Sequence, residues 1–335
     1  HHSGGLPYSP PVWISGDLHL ENFGSFKGDN RQVYFDLNDF DESLLAPAAW
    51  ELARMLTSIF VAFRSLGIEE KRAEKTARLF ITTYARQLQN GKPTYIEPNT
   101  AEGIVHDLLT AVDKRKQRWL LEKSTVSKKN KGERLLRDPR HRSLPPALQE
   151  ALFEHINQWL QQDNQGPHPY KRHYKAIDGV SRQAGTGSLG LYRYVVLLKS
   201  VEDNREKYRM IDIKQCTASS LAPYVQHPQP AWPTEAHRIV HIQQRMQNRP
   251  PALLGTTVFR DQPYIIQEMQ PEKDSVNLAL LRDRYRDMCH VVEDMAVLTA
   301  SAQLRSSGRQ GSAIADELID YGHAPQWQEA IFEYA

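Results

Sequence analysis

The sequence predicts an α+β protein in which a strand-rich segment lies between two mainly helical segments. Before residue 162 and after residue 275, apolar residues recur every three or four positions over stretches long enough for helices. Between them, short runs rich in β-branched and aromatic residues alternate with turn residues, as in antiparallel strands. A chain of 335 residues can bury a full core, as one large domain or as two lobes.

The N-terminal part begins with two predicted strands, PVWIS and RQVYFDLNDFD. A helix is predicted from Pro47 to Gly67, because proline suits a first helical turn, apolar residues share one face, and glycine ends the helix. A second helix is predicted over 69–89 and a third in SLPPALQEALFEHINQWLQQ.

The middle part follows a polar linker, DNQGPHPYKRH. Strands are predicted on both sides of a glycine-rich turn, in KYRMIDIKQ and twice in TTVFRDQPYIIQEMQ. The stretch PTEAHRIVHIQQRMQ predicts a helix with Thr234 as its N-cap. We therefore divide the chain at 1–168, 169–271 and 272–335.

Composition narrows the functional classes. The net charge of +2 does not indicate a dedicated nucleic-acid binder, and no apolar run reaches the length of a membrane span. Cys216 and Cys289 form no paired motif, so neither a disulfide framework nor a cysteine zinc site is expected. A cytoplasmic location is expected. The basic stretch 114–142 is interpreted as a solvated surface, with a phosphate-contacting surface as the alternative.

The stretch GTGSLG places Gly185, Gly187 and Gly190 in the spacing G-x-G-x-x-G, with Ser188 between them. A dinucleotide-binding fold requires a helix to begin at this turn, whereas LYRYVVLL predicts a strand. Glycines between two strands suit a hairpin that covers phosphates, and a plain hairpin turn is the alternative. These four residues are candidate nucleotide-binding residues.

Lys214 ends the strand that follows the glycine hairpin, where a lysine can hold the α- and β-phosphates of a nucleotide. An exposed strand lysine is the alternative. The partner of Lys214 on the next helix is either Glu235 or Gln243, and the sequence does not decide between them. Gln267 and Met269 follow an apolar strand, as in a hinge that holds adenine by its backbone.

Polar residues cluster after the first strand, in VWISGDLHLENFGSF. Asp17 precedes Asn22 by five positions, the spacing with which kinase-type phosphoryl transfer orients a hydroxyl and holds a metal ion. Asp39 and Asp41 follow the next strand, and carboxylate oxygens suit Mg²⁺. We predict Asp17 and His19 as catalytic residues, and Asn22, Asp39 and Asp41 as metal ligands. Each residue taken alone could also be a turn former.

These motifs resemble the catalytic and metal loops of aminoglycoside-phosphotransferase-like kinases, which read roughly H-G-D-x-H-x-x-N, I-D-F-x-D and a D-L-A helix. In that resemblance Asp17 is the catalytic aspartate, Asn22 and Asp39 hold metal, and Glu51 takes the place of the helix aspartate. Ser15 replaces the usual histidine before Gly-Asp.

The whole chain is similar to the bacterial domain of unknown function 2252 family, through GDLHLENFG, DLNDFDES, GTGSLG, RIVHIQQRMQ, TASAQLRSSG and EAIFEYA. It departs from that family at Gln303, where a histidine is usual. In ordinary kinases the glycine loop and lysine precede the catalytic aspartate, whereas here they follow it. The resemblance therefore implies a circularly permuted, bilobal protein-kinase-like fold with a small antiparallel β lobe and a larger helical lobe.

The resemblance implies an enzyme that uses ATP and Mg²⁺ to phosphorylate a hydroxyl of a small molecule or a protein. Nucleotidyl (AMP) transfer, a catalytically silent nucleotide-binding module and a metallophosphoesterase are the alternatives. The last leaves GTGSLG and Lys214 unexplained. For the kinase interpretation, Lys214 must face Asp17, Asn22 and Asp39 across one cleft.

Overall fold

The mixed α/β composition predicted from the sequence is confirmed by the structure, a computed structural model. The structure describes residues 5–114, 117–128, 132–162, 169–183, 190–202, 207–270 and 276–335. Within these ranges the helices are α1 (Ala48–Ser65), α2 (Glu70–Asn90), α3 (Gly103–Lys114), α4 (Gln117–Ser124), α5 (Pro146–Gln161), α6 (Glu235–Met246), α7 (Tyr285–Ser306), α8 (Ala315–His323) and α9 (Gln326–Tyr334).

Twelve strands are found within the same ranges. They are β1 (Pro11–Ile14), β2 (Phe23–Lys27), β3 (Val33–Leu37), β4 (Leu44–Pro47), β5 (Thr125–Lys128), β6 (Gly132–Leu135), β7 (His141–Ser143), β8 (Tyr174–Arg182), β9 (Arg193–Ser200), β10 (Tyr208–Gln215), β11 (Gly255–Phe259) and β12 (Gln262–Glu268). Six of them form one antiparallel sheet in the order β11-β12-β10-β9-β8-β7, and β1-β4, β2-β3 and β5-β6 form two-stranded sheets.

The larger part of the molecule, which we call the helical body, consists of α1, α2, α7, α8 and α9 with the strand pairs β1-β4 and β2-β3. Its helices bury one face each, since apolar residues recur every three or four positions along α1 and α2. α2 lies against α1, α7 and α8, and the strand pairs contribute to the same continuous core. This arrangement brings the loops after β1 and β3 to one surface.

The smaller part, the sheet lobe, consists of the six-stranded sheet and α5. One face of the sheet packs on α5, where Ile156 and Trp159 are buried and the Trp159 indole N–H donates to the Thr256 carbonyl at 3.1 Å. The other face carries Val195 and Met210 under Leu135 of β6. Both faces are therefore covered, as the near-continuous apolar runs of β9 and β10 require.

The sheet lobe begins earlier in the chain than the predicted boundary at residue 169. β7 pairs with β8, and α5 packs on β8 and β11, so residues from His141 onward belong to the sheet. Conversely, α6 lies within the predicted middle segment but contributes Ile239 and Ile242 to the core of the helical body. Its predicted N-cap is confirmed, because the Thr234 side chain accepts a hydrogen bond from the His237 N–H.

None of the described helices combines the length and apolarity needed to cross a membrane.

Candidate functional site

The loop that carries Asp17 is held by a carboxylate from α1. Glu51 Oε1 accepts hydrogen bonds from the backbone N–H and the hydroxyl of Ser15, both at 2.9 Å, and Glu51 Oε2 accepts from the Gly16 N–H at 3.1 Å. Burial raises the pKa of Glu51 to about 7, although these three hydrogen bonds act in the opposite direction. Glu51 therefore positions the backbone immediately before Asp17.

Gly16 has a conformation and a packing environment that only glycine fits. Its φ is +83°, and a Cβ at this position would lie 2.1 Å from the Glu42 carbonyl oxygen. That oxygen belongs to the backbone of the loop between β3 and β4, which carries Asp39, Asp41 and Glu42 and which we call the acidic loop. A backbone oxygen cannot rotate away as a flexible side chain can. The close approach of the two loops thus depends on a missing side chain.

We expect Gly16→Ala to destabilise the protein by about 2 kcal/mol more than Gly190→Ala, because overpacking adds to backbone strain. Gly190 is the matched control, since its φ is also positive, at +91°, but a Cβ there would meet nothing within 4 Å. Denaturant unfolding of both variants measures the difference. Equal losses of stability would show that the two loops can separate at no cost.

Asn22 joins the Asp17 loop to the Asp39 loop. Its Nδ2 donates to the Asp17 carbonyl at 3.0 Å and to the Asp39 carbonyl at 3.4 Å, while its Oδ1 accepts from the Asp39 N–H at 2.9 Å. The side chain is buried, with 2% of its surface exposed. An amide oxygen has two lone pairs, so Oδ1 could hold a metal ion only through its second one.

Lys214 lies against the loop that carries Asp39 and Asp41, and we call these three residues the acid–lysine cluster. The Lys214 ammonium donates to Asp41 Oδ2, although the two residues are 173 positions apart. Burial alone lowers the pKa of Lys214, but the charges of Asp39 and Asp41 outweigh it, so the pKa is raised. Lys214 is therefore a charged group in direct contact with the predicted metal loop.

Neither of the two partners considered for Lys214 is the one found. Glu235 instead accepts from Arg238 Nε at 2.6 Å, and Gln243 is buried on α6. Arg238 also donates to the carbonyls of Asp41, at 2.9 Å, and Thr217, at 3.1 Å. α6 thus contributes an arginine that ties the acidic loop to the chain just after β10.

The face of β10 that carries Lys214 also carries a buried ion pair. Asp212 lies two residues earlier and therefore on the same face, where it accepts from Arg193 Nε at 2.9 and 3.0 Å. Burial raises the pKa of Asp212, but the Arg193 charge and hydrogen bond outweigh it and hold the pKa below its usual value. Arg193 is directly opposite Lys214 in the β9–β10 register, so two cations lie side by side.

Asp17 pairs with a residue that the sequence analysis did not select. Arg54 of α1 contacts Asp17 Oδ1 through its guanidinium group, and 52% of the Arg54 side chain and 40% of the Asp17 side chain are exposed. His19 accepts from the Glu21 N–H through Nδ1 at 3.2 Å, so its neutral form carries the proton on Nε2. Arg54 lies one helical turn after Glu51, but a single arginine on a helix carries no distinctive signal in the sequence.

The residues present fit a magnesium ion. Burial, followed by the charge of Asp39, raises the pKa of Asp41 even though Lys214 opposes both. Lys214 and Arg193 thus face three carboxylates, those of Asp39, Asp41 and Asp212, and an added cation would relieve the remaining repulsion. Among the described residues, no group of three or more His, Cys, Asp and Glu side chains is arranged for a metal. Mg²⁺ commonly takes only one or two carboxylates and completes its shell with phosphate and water oxygens.

The predicted nucleotide-binding residues are only partly described. Three of them lie outside the described residues: Gly185, Gly187 and Ser188. Gly190 is described and lies in the turn before β9. Gln267 pairs with Asp212 in the sheet, and the Met269 N–H donates to the Met210 carbonyl at 2.9 Å. Beside Met269 is a cavity of about 70 Å³ that Leu135 helps to line. This volume is far below the several hundred cubic ångströms of typical ligand pockets.

Gln303, the departure from the family pattern, lies in the core of the helical body. It is buried and accepts a hydrogen bond from the Tyr84 hydroxyl through Oε1. Burial raises the pKa of Tyr84 well above its usual range, and the charge of Glu51 acts in the same direction. Gln303 is therefore a hydrogen-bond acceptor within the core of the helical body.

The structure defines a mixed α/β protein in which a lysine of an antiparallel sheet meets an acidic loop of a helical body. The chain belongs to the family described as an uncharacterized protein conserved in bacteria (DUF2252), whose pattern matches residues 3–335. Searches of the curated proteins and of the solved structures found no match.

Proposed function

We propose that this protein is an ATP- and Mg²⁺-dependent phosphotransferase with a circularly permuted protein-kinase-like fold. The contact between Lys214 and Asp41 carries the proposal. A strand lysine held against a carboxylate loop is what a triphosphate with its metal ion requires, because the lysine and the metal-holding carboxylates neutralise neighbouring phosphates. The permuted order is no obstacle, because catalysis depends on geometry rather than on chain order.

Each group has a role in the proposed reaction. Asp39 and Asp41, with the second lone pair of Asn22 Oδ1, would hold Mg²⁺, which supplies charge neutralisation on the phosphates. Lys214 binds phosphate oxygens, and Asp17 orients the acceptor hydroxyl. The acceptor oxygen forms a bond to the γ-phosphorus, the bond from that phosphorus to the bridging oxygen breaks, and ADP leaves with the electron pair. Asp17 accepts the hydroxyl proton.

Two features of the site bear on how a nucleotide enters. In the structure Lys214 pairs with Asp41, so phosphate oxygens must take the place of that carboxylate as partners of the ammonium. The cavity beside Met269, which Leu135 helps to line, is too small for a base, so a base at this position requires the β6 segment to move aside. Both exchanges cost free energy, and we expect nucleotide affinity to be moderate.

Mass spectrometry after incubation with ATP, Mg²⁺ and a bacterial cell extract tests the proposal. We expect a phosphoryl group to be gained by a small molecule or by a protein, and the same incubation with Asp17→Asn is the control. Transfer of AMP instead of phosphate would replace phosphotransfer by nucleotidyl transfer at the same site. Absence of any ATP-dependent product and of ATP consumption would contradict the proposed enzyme.

A further inference from the structure

A cavity of about 730 Å³ lies beside the Asp17 loop. Its lining comes from that loop, from α1 between Trp50 and Val61, from residues 220–224 and from both ends of the chain. Gly16 and His19 of the loop and Arg54, the partner of Asp17, all line it. The volume falls in the range that drug-sized ligands occupy.

The walls of this cavity, which we call the α1 cavity, are largely apolar and aromatic. Trp50 and Leu221 contribute to the lining. Val61, Tyr224 and Tyr334 also line it, although they are 62%, 53% and 48% exposed. Three large apolar side chains are thus exposed around one opening, which is typical of a binding site for a flat apolar molecule.

The charge in the α1 cavity comes from two residues of α1. Both carboxylate oxygens of Glu51 accept hydrogen bonds from the Asp17 loop, so they are already occupied. Arg54 is half exposed and pairs with Asp17. The guanidinium of Arg54 would repel a cationic ligand, whereas it would donate a charge-assisted hydrogen bond to an anionic ligand.

We propose that the α1 cavity binds the acceptor, and that this acceptor is a small molecule with a flat apolar body and an anionic group that pairs with Arg54. The inference rests on the proposed phosphotransferase function, since it names the substrate class of the same site. The anion replaces Asp17 as the partner of Arg54, and Asp17 then becomes available to the acceptor hydroxyl. Ion-pair exchange thereby couples acceptor binding to the release of the catalytic carboxylate.

Two fluorescent probes of similar shape test the charge preference. 1-Anilinonaphthalene-8-sulfonate has an aromatic body with an anionic group, and N-phenyl-1-naphthylamine has the same body without the charge. We expect the sulfonate to bind more tightly to the wild-type protein. Arg54→Met should weaken sulfonate binding about tenfold or more while changing the affinity of the neutral probe less than about twofold.

Two further variants test the exchange and the specificity of the effect. Asp17→Asn should tighten sulfonate binding about twofold to fivefold, because a half-exposed carboxylate no longer competes for Arg54. Arg284→Met is the matched control, since Arg284 pairs with Asp287 at similar exposure, 58% and 27%, outside the cavity lining. It should change neither affinity. Arg54→Lys keeps the charge and should restore part of the sulfonate affinity. Such a recovery would show that the loss in Arg54→Met comes from the missing charge and not from perturbed folding.

The outcomes separate this inference from the proposed function. Equal affinities of the two probes, or equal losses of both in Arg54→Met, would overturn the anionic acceptor. Unchanged sulfonate affinity in Asp17→Asn would overturn the exchange. If ATP-dependent transfer occurs while the probes fail these tests, only the acceptor class is wrong. If the probes behave as expected but no ATP-dependent product forms, the cavity binds aromatic anions and the transferase is wrong.

Discussion

Asp17→Asn is expected to lower the rate of group transfer about a thousandfold, in the range by which general base catalysis contributes, while ATP with Mg²⁺ still binds. Asparagine has nearly the shape of aspartate but cannot accept the hydroxyl proton. The Asp17 carbonyl that receives the Asn22 hydrogen bond is a backbone group and is unaffected by the change. Steady-state turnover and nucleotide titration of the same preparations measure the two effects.

Asp39→Asn provides the contrast, because Asp39 belongs to the acid–lysine cluster. Removing its charge should weaken binding of ATP with Mg²⁺ and should lower turnover as a consequence. The two substitutions are chemically identical and lie on loops joined by Asn22, so general perturbation of the site would affect both alike. Equal loss of nucleotide binding in both variants would reject the division of roles and would favour a dinuclear hydrolase.

Lys214→Ala is expected to remove most of the stabilisation that ATP with Mg²⁺ gives to the protein. A ligand at 100 times its dissociation constant stabilises the folded state by about 2.7 kcal/mol, and a phosphate-binding lysine is a major source of that affinity. The variant leaves the partly exposed Asp41 without its cationic partner, so the melting temperature of the variant without ligand will also change. The measured quantity is therefore the shift between samples with and without nucleotide.

Lys199→Ala is the matched control for Lys214→Ala. Lys199 lies on the neighbouring strand β9 of the same sheet, and its side chain is exposed. Its removal should leave the nucleotide-dependent shift unchanged. A full shift in Lys214→Ala would exclude Lys214 from the phosphate site, and the contact with Asp41 would then be only a structural ion pair.

Local sequence patterns were sufficient to predict most helices and strands. The helix predicted from Pro47 to Gly67 is α1, and the one predicted over 69–89 is α2, because apolar periodicity and a terminal glycine are properties of neighbouring residues. In the structure α5 and β7, which precede the predicted boundary at residue 169, pack on or pair with β8, which follows the linker. A polar linker indicates where the chain turns. It does not indicate whether the helix before the linker packs on the segment that precedes the linker or on the one that follows it.

The candidate site was predictable in its residue types but not in all its contacts. Asp17, Asn22 and Asp39 stood out by spacing, whereas Arg54 and Arg238 did not, because a single arginine on a helix has no distinctive pattern. Both arginines bind groups far away in the sequence: Arg238 donates to the Asp41 carbonyl and Arg54 pairs with Asp17. Such contacts depend on how helices pack against loops.

The sequence by itself determined the mixed α/β composition, the order of those helices and strands that it predicted, and the polar residues at the ends of β1, β3 and β10, because these follow from periodicity and spacing along the chain. The tertiary structure alone decided that Lys214 meets Asp41 rather than Glu235 or Gln243, since 173 positions separate the pair and only packing of the sheet on the helical body brings them together. It also decided that Arg54 pairs with Asp17 and that Leu135 lines the small cavity beside Met269. Contacts between distant segments depend on three-dimensional packing, and local patterns along the chain do not specify which distant residues come together.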